Sequence, residues 1–186
     1  MTIESDLDNV LAHTGNPEEG LPDAVFHFVR KITPLVNVDL LIRRNGCSLL
    51  AWREDEYDTG WHIPGGIVRF REALLSRINA VALHEIGATV DSESGPCELT
   101  QLRHHPRGHF ISLLYRCNLT SEIDPSRFYS GLGKPKNGSL SWIRGVPDDL
   151  YPAQRFYADW LDGRIIANRT GLPVVALDGN ARDTGS

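Results

Sequence analysis

Apolar residues along this chain switch between a helical and a strand period, and the switches divide it into elements. In Pro22–Arg30 (PDAVFHFVR), Val25, Phe28 and Val29 share one helical face, which predicts a short amphipathic helix. Leu35–Arg43 is a nearly continuous run of Val, Leu and Ile, the pattern of a mostly buried strand. Asn45-Gly46 supplies the positive φ angles of a tight hairpin turn, so Cys47–Arg53 returns as its partner. The charged stretch Glu54–Gly60 predicts a surface loop. Trp61–Val68 then holds Pro64-Gly65-Gly66, a kink where backbone and ligand can approach closely.

Glu72–Ile86 is the strongest helical segment, with Leu75, Ile78, Ala82 and Ile86 on one face and Gly87 as its stop. Residues 97–105 and 109–117 read as strands joined around Pro106-Arg107-Gly108, and Ser139–Ile143 adds a short one. Pro152 opens a last helix that Gly163 ends. Strands on both sides of a central helix, with mostly hairpin connections, predict an α/β (α+β) domain. Its mixed sheet is flanked by Glu72–Ile86 on one face and Pro152–Leu161 on the other.

Composition narrows the class. A chain of 186 residues with 41% hydrophobic and 23% charged residues suits one globular domain, expected over 21–175. The stretches 1–20 and 176–186 are polar and weakly periodic and are expected to be flexible. A net charge of −5 argues against a broad nucleic-acid surface. No apolar run approaches a membrane span, and the acidic N-terminus lacks a leader pattern. Three cysteines without CxxC spacing suit a reducing compartment, so a cytoplasmic location is expected.

A glycine turn followed by a helix bearing carboxylates can hold a divalent metal on a diphosphate, because magnesium needs only one or two acids beside water and phosphate. The stretch from Gly65-Gly66 through Glu72 to Glu85-Ile-Gly87 resembles the Nudix box, written G-x5-E-x7-R-E-U-x-E-E-x-G-U with U a bulky aliphatic. Gly66, Glu72, Glu85 and Gly87 match it. Ala80, Val81 and His84 depart from it, standing where the family has Arg, Glu and Glu. The flanks ITPLVNVDLLI (32–42), LLAWR (49–53), GWHIPGG (60–66) and RTGLP (169–173) resemble the GDP-mannose mannosyl hydrolase branch.

The resemblance implies a mixed sheet sandwiched between helices and hydrolysis of a nucleotide sugar or a related nucleoside diphosphate derivative. It also implies a Mg²⁺ or Mn²⁺ cofactor and a homodimer. Gly66 (through its carbonyl) and Glu85 would hold the metal, Arg53 would pair with the diphosphate, and Asp39 would lie beside the substrate. Ile67 replaces an arginine of the branch, and Asn137 falls where the branch has a histidine base. Asparagine cannot take a proton from water, so the base is unassigned. Glu72 and the cluster His104, His105 and His109 are candidates, and His109 is also a candidate substrate contact.

Simpler roles stand beside each assignment. Glu85 also reads as an exposed helix acid, Arg53 as a solvated strand end, and Glu72 as a partner of the helix dipole. The histidine cluster reads as the polar end of a hairpin. Asp39, inside an apolar strand, is either buried and paired or faces a cleft. A catalytically weak or inactive module that binds a nucleotide sugar is the alternative function.

Overall fold

The structure, a computed structural model, describes residues 2–166 and the backbone of 175–176. The RTGLP segment at 169–173 and nearly all of the expected C-terminal tail therefore lie outside the described residues. Two helices come first, α1 (Ile3–His13) and α2 (Asp23–Ile32). β1 (Leu35–Arg44) turns through Asn45 and Gly46, at φ 52° and 76°, into β2 (Cys47–Glu54). β3 (Thr59–His62) and β4 (Gly65–Ile67) flank the proline-glycine kink. α3 (Leu74–Val81) runs on into a wide turn over Ala82–Ile86. β5 (Val90–Ser92), the hairpin β6 (Glu98–His105) and β7 (Gly108–Leu119), and β8 (Leu140–Arg144) follow. A 3-10 turn over Pro152–Tyr157 leads into α4 (Ala158–Leu161), and β9 (Val175–Ala176) pairs with β6.

β1 is the hub. Along one edge it pairs in parallel with β7 from Leu35↔Phe110 to Ile42↔Cys117. Its other edge is shared. β4 takes the first half, antiparallel, with Asp39 opposite Gly65, and β2 takes the far end through Arg43↔Ser48. The sheet therefore splays just past Asp39, and the split opens a cleft between β2 and β4. β8 and β3 extend the β2 side, while β5 and β6 pair with β7.

The two faces of β1 divide the core as strand alternation requires. Val38, Leu40 and Ile42 pack with Leu49, Ala51, Tyr115 and Cys117 against Ile78, Val81, Ala82 and Ile86 of the α3 layer. Leu41 packs with Leu50, Trp52, Trp61 and Leu114 against Tyr157, Trp160 and Leu161 of the α4 layer. This is the expected mixed sheet between helices.

Several expectations need correction. Phe26, not Phe28, turns α2 onto the sheet, packing with Val29 near Leu35, Leu102 and Phe110, while Phe28 is half exposed. Leu75 is 60% exposed, so the buried face of α3 starts at Ile78 and gains Val81. The last helix is mostly 3-10, with only Ala158–Leu161 in α form. Thr59–His62 forms a strand where the loop prediction reached Gly60. The N-terminal stretch contains α1, none of whose residues is buried.

The end of α3 is widened for a reason. The Gly87 N–H reaches back five residues to the Ala82 carbonyl (2.9 Å), a π-type closure that shifts the phase of the last turn. Gly87 is left-handed (φ 75°), and a side chain there would overlap the Arg127 guanidinium. That guanidinium donates to the carbonyls of His84 (3.3 Å) and Glu85 (2.9 Å), capping the helix end with positive charge. Arg127→Ala is expected to destabilise the protein by about 1–2 kcal/mol, since it removes charged hydrogen bonds that are partly solvated. Thermal denaturation should show this as a drop of several degrees in Tm; an unchanged midpoint would mean the cap contributes nothing.

Candidate functional site

Asp39, Arg53, Gly66 and Glu85 line one cavity of about 240 Å³ at the split in the sheet. Asn37, His62, Ile67, His105, Arg107 and Tyr151 line it too.

Glu85 is its centre. One carboxylate oxygen accepts from the Gly65 N–H (3.3 Å) and lies 3.2 Å from His62 Nε2; the other is 3.4 Å from Arg53 Nη2. Burial opposes ionisation of Glu85, yet the His62 contact, the charges of His62 and Arg53 and the Gly65 N–H together hold its carboxyl below the usual range. His62 is fully enclosed, and its Nδ1 is 2.7 Å from the Ala51 carbonyl. That carbonyl can only accept, so Nδ1 carries a hydrogen. Nε2 then meets the carboxylate favourably only with a proton between them. Burial is also what pushes the imidazole below its ordinary value, against the pull of Glu85.

Asp39 is 2% exposed and accepts from the Tyr157 hydroxyl at 2.7 Å. Both readings of it hold together, since it is buried and paired and still borders the cleft. Burial raises its carboxyl to about 7, with the Tyr157 hydrogen bond pulling the other way. Gly65 lies directly under Asp39, where a Cβ would overlap Oδ1; only glycine lets β4 pass there. Gln154, on the 3-10 turn, grips the approach to the kink. Its carbonyl accepts from the Ile63 N–H (2.6 Å) and its amide donates to the Ile63 carbonyl (3.2 Å).

The remaining sequence candidates lie elsewhere. Glu72 is outside the cavity lining, accepting from the Arg69 N–H and Arg77 Nε, both at 2.8 Å. Arg77 of α3 is thus the side-chain partner of Glu72. Asn137 lines a more open neighbouring cavity with Arg53, His62 and Glu85, and its Oδ1 accepts from the Glu54 N–H (3.2 Å). His109 sits 3.0 Å from the Gln101 amide and borders an adjoining cleft with His104. His105 reaches the main cavity, but its Nδ1 accepts from the Arg107 N–H (3.0 Å), and burial lowers its ring to about 4. Among the described residues, no group of three or more His, Cys, Asp or Glu side chains converges to hold a metal unaided. Glu85 and the Gly66 backbone, which line the same cavity, would fit only an ion whose shell is completed by water and ligand phosphates.

Sequence reasoning missed His62 and Gln154. His62 left a signal: a histidine in a strand of apolar neighbours, three residues before the glycine pair, needs a buried partner. Gln154 left none, because its pairing crosses 91 residues.

Solved structures share this architecture. A Nudix hydrolase from Nitrosomonas europaea aligns at TM-score 0.54 with 19% identity, covering 76% of each chain. A MutT protein from Methanosarcina mazei aligns at 0.53 with 18% identity, over 72% of this chain and 96% of that one. A protein from Jonesia denitrificans, described as a possible asymmetric diadenosine tetraphosphate hydrolase, aligns at 0.57 with 18% identity, over 73% and 99%. The fold is the Nudix fold. No family model matches the chain. In sequence it is similar to the low-salt glycan biosynthesis protein Agl8 of Haloferax volcanii, 40% identical over 79 residues. That match takes in 42% of this chain and spans about half (51%) of the relative's length. Among the described residues of this Nudix fold, no helix is long and apolar enough to cross a membrane.

The raised Asp39 carboxyl has a consequence for stability. Relative to its ordinary value of 3.8, the folded state holds the Asp39 proton up to about pH 7. The associated stability is complete below pH 3.8 and is lost as pH climbs toward 7, where the buried group must ionise. Asp39→Asn cannot ionise and keeps an acceptor for Tyr157. Its Tm relative to wild type should therefore rise between pH 5 and pH 8, by an amount on the order of 2–4 kcal/mol in stability. A difference that stays flat with pH would show that Asp39 ionises freely in the folded protein.

Proposed function

We propose that this protein hydrolyses a nucleoside diphosphate linked to a second moiety, with a nucleotide sugar such as GDP-mannose as the leading substrate and Mg²⁺ or Mn²⁺ as the metal. The observation that carries this reading is the gathering of Asp39, Arg53, Gly66 and Glu85, from four separate stretches of the chain, around one cavity. The similarity to a protein named for glycan biosynthesis supports the sugar.

Glu85 and the Gly66 carbonyl would hold the ion, which when bound neutralises diphosphate charge and stabilises a departing oxygen. Arg53 already faces the Glu85 carboxylate and orients the diphosphate beside it. Glu72, tied to Arg77, fixes the backbone behind the site rather than touching substrate. A general base must sit in the cavity. His105 is neutral with its Nδ1 engaged, and His104 and His109 lie outside. His62 has both ring nitrogens engaged, with the Ala51 carbonyl and Glu85, which leaves Asp39, the cavity's second carboxylate, as the group to test. The homodimer implied by the resemblance belongs to the same proposal, and sedimentation velocity checks it.

Two observations favour a second reading, in which the protein binds a nucleotide sugar and turns it over weakly or not at all. Val81 is buried against Gly66 where an acid would serve a metal, and Asn137 is committed to the Glu54 backbone. Binding and turnover are separable in such a site.

A panel of nucleotide sugars, dinucleotides and nucleoside triphosphates, assayed with each metal, distinguishes the readings. Hydrolysis of a nucleotide sugar is expected, and ¹⁸O from water should appear in the sugar if attack is at carbon or in a phosphate if at phosphorus. Arg53→Lys should lower kcat/KM at least tenfold, because a point charge does not replace a planar two-pronged donor. Tight binding without turnover supports the second reading, and neither binding nor turnover contradicts both.

A further inference from the structure

Arg107 stands at the tip of the β6–β7 hairpin, and three cavities meet at it. It lines the main cavity with Arg53 and Glu85, and the neighbouring one with Asn137. It also lines a cleft between the end of α2 and the hairpin. That cleft gathers Arg30, Lys31, Arg103 and Arg107 with no acidic side chain in its lining, on a chain whose net charge is −5. Like charge concentrated in a concave surface raises the local potential and draws anions in.

The hairpin tip is held in place by its backbone. The Arg30 guanidinium donates to the Tyr57 hydroxyl (2.6 Å) and, weakly, to the Arg107 carbonyl (3.5 Å). The Arg107 N–H is taken by His105. The Arg107 guanidinium itself makes no hydrogen bond or ion pair with any described residue, although Asp55 is near enough for the arginine's charge to favour its ionised form. A half-buried guanidinium fixed at its root and unengaged at its head is set up for a ligand that is not protein.

A second observation points the same way. Gly65, Gly66 and Ile67 form the β4 wall of the main cavity and bring it no charge. Arg53 supplies a cation from β2, and Arg107 brings a second from the hairpin wall.

We propose that Arg107 is the second phosphate-binding arginine of this site, gripping the ligand's diphosphate from the hairpin side while Arg53 holds it from β2. This rests on the diphosphate reading above. It adds that ligand orientation is set by the β6–β7 hairpin, with the far end of the ligand directed toward the basic cleft.

The test is calorimetric titration of the full chain with GDP, and with guanosine as the uncharged comparison, in the presence of Mg²⁺. Arg107→Ala should weaken GDP binding at least tenfold and leave guanosine binding within about twofold, since charged hydrogen bonds to phosphate are lost and nucleoside contacts are not. Arg107→Lys should recover only part of the loss. Because the contacts that fix the tip are backbone ones, the variants should keep the wild-type Tm; GDP binding is compared only among variants that do. Unchanged GDP affinity in Arg107→Ala, or an equal loss for guanosine, overturns the assignment of Arg107 and leaves the diphosphate reading standing. No GDP binding by wild type overturns both. Should Arg107→Ala fail to fold, Arg107→Gln, which keeps the side chain's length without its charge, must show the same selective loss.

Discussion

A carboxylate mostly withdrawn from water has to find donors, and the way Glu85 finds them organises this molecule. Its donors come from three different strands: Arg53 from β2, His62 from β3 and the Gly65 N–H from β4. Those strands belong to opposite sides of the split in the sheet, so one side chain at the end of α3 bridges the gap. The same residue is held from behind, where Arg127 caps its carbonyl and the wide turn sets its phase. Removing the carboxylate would leave Arg53 without its counter-charge and His62 Nε2 without a partner, a costly arrangement in a half-buried cleft. A ligand or metal entering the cavity therefore meets a carboxylate already aimed and only partly neutralised.

The departures from the Nudix box are absorbed by local rewiring. With Ala80 in place of arginine, Glu72 takes Arg77 as its partner, and that pair lies behind Gly66. Val81 is 3% exposed and packs so closely on Gly66 that a Cβ there would lie 2.8 Å from its Cγ2. An aliphatic residue at that position joins the core layer, and Glu85 is the carboxylate of this segment that lines the cavity. Under the proposed function, an ion there would depend on what the ligand brings.

Much of the fold was legible because its signals are local. The Asn45-Gly46 turn, the apolar run of β1 and the Gly87 stop each follow from residues within one turn of chain. The expected helix face was right at Ile78, Ala82 and Ile86, but wrong at Leu75, which lies exposed in the first turn of a helix that begins at Leu74. Periodicity fixes a spacing and not which of two neighbouring faces meets the sheet, and Phe26 rather than Phe28 turns inward. The family pattern singled out Asp39, Arg53, Gly66 and Glu85, and the fold brings these four to one cavity. The site was not legible where long-range contacts decide. Nothing near His62 announces Glu85, and nothing near Asn137 announces that its side chain serves Glu54.

Under the proposed function, Glu85 anchors a metal–diphosphate site that the ligand completes. The direct measurement is Mn²⁺ binding followed by electron paramagnetic resonance, with and without GDP, in wild type and Glu85→Gln. Weak Mn²⁺ binding is expected from the protein alone, and binding at least tenfold tighter once GDP is present, beyond what GDP binds in solution. Glu85→Gln should abolish this enhancement. Equal Mn²⁺ affinity with and without GDP, or an enhancement that survives Glu85→Gln, would contradict a ligand-completed metal site at Glu85.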